Sequence, residues 1–171
     1  MFFRFSLLNH VNIITLSIPL GNEKPSMLFG QLLTSINKKG QITIPSNLGI
    51  ALSKRIFITQ GLDRNLLLIP ESTFQFLYEQ LQGLNLADPK ARLLLRIILG
   101  TAYETMLDPT NHLVLPENLK KFASLDTQAV LIGQGSFIEI WNPSHWSKQE
   151  LFYQDVETDP ERFSHFNISF G

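Results

Sequence analysis

Two stretches of this chain carry the same short pattern. Residues 36–48 read INKKGQITIPSNL and residues 107–119 read LDPTNHLVLPENL, an offset of 71 residues (107 − 36). Apolar residues coincide at Ile36/Leu107, Ile42/Leu113, Ile44/Leu115 and Leu48/Leu119, while Pro45 coincides with Pro116 and Asn47 with Asn118. A fixed internal period marks a repeated supersecondary unit, which limits the chain to folds built from two like halves. The likeness continues downstream, where RIFITQGLDRNLLLIPESTF (residues 55–74) parallels QAVLIGQGSFIEIWNPSHW (residues 128–146). Apolar runs rich in Val, Ile, Leu and Phe and broken by glycine are hairpin signals. Pro70 and Pro143 suit the first position of a helix, where the missing N–H costs nothing. Each half therefore reads as strand, polar loop, strand, short helical turn, strand, turn, strand, helix. Neither half can bury its apolar strands alone, so the two are expected to interlock around one core as a pseudo-dimer.

Between the halves, residues 88–104 (DPKARLLLRIILGTAYE) place Leu93, Leu94, Ile97 and Ile98 on one helical face. Asp88 is the expected N-cap, Pro89 the first helical residue and Gly100 the stop. The resulting organisation is an N-terminal extension (1–26), a first module with its helix (27–82), a linker helix (83–102), a second module with its helix (103–155) and a C-terminal tail (156–171). The extension is apolar but broken by Asn9, His10 and Asn12, with no small-residue cleavage site. It is expected to be dispensable or an over-long start, with Met27 leading directly into the first strand.

The chain has 171 residues and no cysteine, so disulfides, zinc–thiolate sites and cysteine nucleophiles are excluded. The formal net charge of −1 hides an asymmetry. Residues 27–64 carry Lys38, Lys39, Lys54, Arg55 and Arg64 against Asp63, whereas residues 150–161 carry Glu150, Asp155, Glu157, Asp159 and Glu161 without a cation. A basic first half can attract phosphates although the whole chain is not basic. The four histidines, His10, His112, His145 and His165, lack metal-ligand spacing, and no nucleophile elbow, P-loop or dinucleotide fingerprint occurs. Neither an enzyme nor a cofactor or metal site is expected.

The chemistry-bearing loop is Asn37-Lys38-Lys39-Gly40-Gln41. Gly40 permits a positive-φ turn, Asn37 can bond the backbone two residues on, and the two lysines sit on the projection so formed. Gln41 opens the next strand and offers an amide. Cations for phosphates and an amide for a base edge are the parts of a DNA reader. The equivalent loop, Asp108-Pro109-Thr110-Asn111-His112, puts Asn111, another residue tolerant of left-handed backbone, where Gly40 stands. The DNA-contacting candidates are Lys38, Lys39, Gly40, Gln41, Asn111 and His112. Arg92 and Arg96 are expected at the solvated edge of the linker helix or on carbonyls between the modules, with phosphate contact as the alternative, Trp141, Trp146, Phe74 and Phe76 in the core or an oligomer interface, and Lys120 and Lys121 on a solvated face, with contact to the DNA backbone as the alternative.

NKKGQITIP (37–45) and DPTNHLVLP (108–116) resemble the D-x-K-G-R-hydrophobic-x-hydrophobic-P pattern of AbrB-like swapped-hairpin DNA-binding modules. With RLLLRIILG (92–100) between them and VLIGQGSFIEIWNPSHW (130–146) after them, the chain resembles the MraZ family of bacterial transcriptional regulators from about residue 27 to 152. The resemblance implies a mainly β fold with peripheral α-helices, in which two SpoVT-AbrB-like swapped-hairpin modules form an intertwined, barrel-like pseudo-dimer. It also implies a cytoplasmic, nucleoid-associated homo-oligomeric ring. Such a ring binds double-stranded promoter DNA at repeated elements ahead of a cell-division and cell-wall gene cluster, and has no membrane partner.

The family's loop arginine is absent from both repeats, replaced by Gln41 and His112. Arginine reads guanine O6 and N7, and glutamine suits adenine N6 and N7. Three outcomes stay open: an operator with adenine at the Gln41 position, weak affinity resting on Lys38 and Lys39, or an oligomeric scaffold without DNA readout. An AbrB-like antitoxin is a further alternative, although such proteins usually carry one module.

Overall fold

A computed structural model describes residues 28–45 and 55–154. The N-terminal extension, the first repeat's short helical turn after Pro45 and the acidic tail lie outside them. The described chain runs β1 (Leu28–Ser35), β2 (Gln41–Thr43), β3 (Ile56–Gln60), β4 (Leu66–Pro70), α1 (Glu71–Gln82), α2 (Pro89–Ile98), β5 (Tyr103–Thr105), β6 (His112–Val114), α3 (Glu117–Phe122), β7 (Gln128–Gly135), β8 (Ile138–Trp141) and α4 (Pro143–Gln154). The fold is mainly β with a few helices. The expected helix signals act locally. Asp88 caps α2 by accepting from the Lys90 N–H at 2.8 Å, with Pro89 opening the helix. Pro143 begins α4, while Pro70 sits one place earlier than expected, as the last residue of β4 and the N-cap of α1.

The strands form a six-stranded antiparallel sheet in the order β1-β7-β8-β4-β3-β5 and a separate two-stranded ladder, β2-β6. The order reads the same from either end once each strand is exchanged for its repeat equivalent. β1 of the first repeat pairs with β7 of the second, Leu32 opposite Leu131, and β5 of the second pairs with β3 of the first, Tyr103 opposite Ile58. Each repeat thus gives its first strand to the other. The hairpins β3–β4 and β7–β8 meet at the centre through β4 and β8. Among the described residues the large sheet is open, with β1 and β5 as its edges. The expected barrel does not close among these residues, because β1 ladders only with β7 and β5 only with β3, leaving the outer edge of each unpaired.

One apolar core draws on both repeats. Ile42, Ile44, Ile56, Ile58, Leu66 and Leu68 pack in the same cluster as Leu113, Leu115, Leu119, Leu131, Ile138 and Ile140. A smaller cluster holds Val130, Ile132, Trp141 and Trp146, the two indoles tilted at 5.6 Å. Phe74 stacks on Phe57 at 4.0 Å, whereas Phe76 is exposed. The contact between β1 and β7 is close enough to require glycine, since a Cβ on Gly133 would lie 2.6 Å from the Leu28 carbonyl. The linker helix is tied down by Thr59, a fully buried residue whose hydroxyl donates to the Ile98 carbonyl at 2.6 Å. Arg92 donates to the carbonyls of Leu86 and Ala87, between α1 and α2.

A candidate nucleic-acid interface

The loop before β2 is held by Asn37. Its Oδ1 accepts from the N–H groups of Lys39 (2.9 Å) and Gln41 (3.0 Å). The backbone turn closes with Gly40 N–H to Asn37 C=O and Asn37 N–H to Gln41 C=O, both 2.9 Å. The loop before β6 repeats every bond. Asp108 Oδ1 accepts from the N–H groups of Thr110 (2.8 Å) and His112 (2.9 Å), and the same two backbone bonds close the turn. Gly40 and Asn111 both take positive φ, 73° and 60°. The short polar residue at each loop start supplies the acceptor that a tight turn otherwise lacks.

These loops lie at the two ends of the β2–β6 ladder. Gln41 pairs with Val114, Ile42 with Leu113 and Thr43 with His112. The 71-residue offset maps the first pair onto the last and the middle pair onto itself, so the pseudo-twofold passes through Ile42–Leu113. The Gly40 carbonyl accepts from Leu115 N–H (2.9 Å) and the Asn111 carbonyl from Ile44 N–H (2.8 Å), which clamps each loop to the other repeat. Residues directly opposite on a ladder share a face, and successive residues alternate. Ile42 and Leu113 are fully buried, so Gln41, Thr43, His112 and Val114 project from the other face, with Val114 56% exposed.

All six candidate residues therefore belong to one ribbon and its two turns. Lys38 and Lys39 are exposed at the first turn. Three further residues join them. Thr43 and Val114 follow from strand alternation once Ile42 and Leu113 are known to be inside. Lys120, in α3 of the second repeat, follows from nothing local. Its Nζ lies 3.7 Å from where a Gly40 Cβ would stand, and it pairs with Glu117 at 3.2 Å. The second turn has no such neighbour by sequence equivalence, because the residue 71 positions before Lys120 is Gly49. The two turns thus differ in charge: Lys38, Lys39 and Lys120 surround the first, while Asp108 anchors the second.

Arg55, counted among the basic residues of the first half, is held by Glu71 at 2.9 Å and by both oxygens of Glu104. Its charge is neutralised on the sheet edge and adds nothing to the ribbon.

Backbone donation from His112, then the Thr110 hydroxyl and backbone, hold the Asp108 carboxyl below the usual aspartate range. The Arg55 guanidinium does the same for Glu104. A carboxyl held low in the folded state adds stability above its ordinary range and loses it as pH falls through the lowered value. Thermal melts from pH 7 to pH 3 are therefore expected to fall less steeply for Asp108→Asn than for the parent chain, the neutral amide having no such charge to lose.

Duplicated halves, exchanged strands and a two-stranded ribbon between paired turns define a tandem-repeat β protein. The chain belongs to the MraZ family. The family model described as MraZ protein, antitoxin-like, matches residues 98–164. A transcriptional regulator MraZ from Herpetosiphon aurantiacus is 33% identical over 143 residues, covering 83% of this chain and all of the relative. One from Desulfitobacterium hafniense is 36% identical over 130 residues (76% of this chain, 91% of the relative), and one from Thermomicrobium roseum is 32% identical over 123 residues (72% and 87%). Among the described residues, no helix is long and apolar enough to cross a membrane.

Proposed function

We propose that this chain is a sequence-specific DNA-binding transcriptional regulator whose β2–β6 ribbon enters the major groove of promoter DNA. The observation that carries this reading is the ribbon itself: a polar outward face of Gln41, Thr43, His112 and Val114, flanked by a turn bearing Lys38 and Lys39. A two-stranded ribbon fits the major groove, which is about 12 Å wide. Lysines at the turn suit phosphates, the polar strand residues suit base edges, and Val114 suits a thymine methyl. Gly40 and Asn111 hold the turns in shape rather than contacting bases. Lys120, from the second repeat, adds a third cation beside the first turn, so that end of the ribbon carries most of the phosphate attraction. The names of the relatives support regulation of transcription.

In this reading the repeats are two AbrB-like swapped-hairpin modules, with the module boundaries given above. The assembly is a homo-oligomeric ring acting in the cytoplasm on the nucleoid. Its targets are repeated elements ahead of a cell-division and cell-wall gene cluster. Several ribbons on one ring raise affinity by effective concentration, which offsets the chain's net charge of −1.

The test is a titration of the full chain against its own upstream promoter and a scrambled duplex, at low and at physiological salt. Preference for the promoter at physiological salt is the expected result. Equal, salt-sensitive binding to both would leave phosphate attraction without readout. Binding to neither would favour the scaffold reading, which the missing loop arginines and the carboxylate at the second turn support.

A further inference from the structure

We propose that the ribbon's two polar readers have preset hydrogen-bond polarity: Gln41 turns its amide nitrogen outward as a donor, and His112 presents Nε2 as an acceptor. This rests on the DNA-binding reading above and specifies its chemistry.

Gln41 is fixed by Asn37. Two backbone N–H groups already occupy Asn37 Oδ1, so the other end of that amide is its NH₂. Asn37 Nδ2 donates to Gln41 Oε1 at 2.9 Å. The Gln41 amide therefore turns its own NH₂ outward, away from the loop. The paired contact to adenine N6 and N7 needs acceptor and donor together, and only the lone pair that Asn37 leaves unused on Oε1 remains for it. A lone donor suits guanine O6 or N7, adenine N7 or thymine O4.

His112 is fixed through Thr110. The Thr110 hydroxyl lies 2.7 Å from Asp108 Oδ1 and 2.8 Å from His112 Nδ1. The hydroxyl has one proton. With the Asp108 carboxyl held low and therefore ionised, that proton goes to the carboxylate, and Oγ1 must accept from an Nδ1–H. The neutral imidazole then carries its proton on Nδ1 and turns a bare Nε2 outward. Among the described residues, no hydrogen bond to Nε2 competes for it. A bare nitrogen accepts from the amino groups of adenine N6 or cytosine N4.

Among the described residues, few charged groups stand near His112. Its own loop supplies Asp108, at 3.6 Å. The ladder opposite it supplies Thr43, and along β2 only Ile42 and Gln41, none of them titratable. Lys38, Lys39 and Lys120 belong to the turn at the other end of the ribbon.

Two measurements on the full chain test this. The first needs no DNA: nitrogen-15 NMR of the His112 ring at pH 8. An Nδ1–H ring is expected, reverting to Nε2–H in Thr110→Val; an Nε2–H ring in the parent chain overturns the proposal. The second is a promoter duplex series substituted base by base and titrated at pH 8. Adenine or cytosine at one position should be preferred over guanine by about twofold to tenfold, as expected for one neutral hydrogen bond. His112→Phe should lose this preference, which separates it from the other ribbon residues. A base profile that His112→Phe leaves unchanged overturns the proposal alone. Binding to no duplex overturns it together with the reading it rests on.

Discussion

Alanine at Lys38, Lys39 and Lys120 together weakens promoter binding on the order of a thousandfold at physiological salt, with any fall in melting temperature coming from Lys120 alone. Each lysine surrendered to a phosphate is worth about 1.5 kcal/mol or more as a charge-assisted hydrogen bond, and a thousandfold is about 4 kcal/mol. The slope of log affinity against log salt should shrink by about 2.7, at roughly 0.9 per phosphate contact. Lys38 and Lys39 are exposed and cost little stability, whereas the Lys120 side chain is only 18% exposed, so its truncation also removes packing of its stem against the turn. Lys120→Ala alone should remove about a third of the slope change. Competition binding across a salt series, alongside thermal melts, checks both parts. An unchanged slope would remove the first turn from the interface.

Leu113→Ala is expected to cost about 2–5 kcal/mol, the range for a buried leucine truncated in a core that cannot collapse onto the gap. For a chain of this size that lowers the melting temperature by roughly 5–15 °C. Leu113 is fully buried under the ribbon and packs in the cluster shared by both repeats. It also lies on the pseudo-twofold, opposite Ile42, so no second copy of the contact exists to compensate. Val114→Ala, one residue along and on the exposed face, should shift stability by no more than about 0.5 kcal/mol. Calorimetry of the two variants is the check. Equal losses would mean that the ladder does not alternate as described.

The loops were readable because their structure is made within five residues. Asn37 and Asp108 each satisfy two nearby N–H groups, and Gly40 and Asn111 take the left-handed conformation their residue types favour. The helix at Pro89 was readable for the same reason, since a capping aspartate and a proline act on their immediate neighbours. The placement of Lys120 was not readable. It depends on β2 and β6 pairing across 71 residues, which brings α3 of one repeat over the turn of the other. Nor was the loss of Arg55 to Glu71 and Glu104 visible, because Glu104 reaches it only through the β3–β5 pairing.

By itself the sequence determined that there are two like halves, where their hairpins and turns fall, and which apolar residues must be hidden. Those follow from periodicity and near-neighbour hydrogen bonds. The tertiary structure alone decided that the halves exchange their first strands, that the short ladder straddles the pseudo-twofold, and that Gln41 and His112 share its outward face. Those depend on pairing distant segments so that Ile42, Leu113 and their neighbours leave water together, which no local pattern specifies.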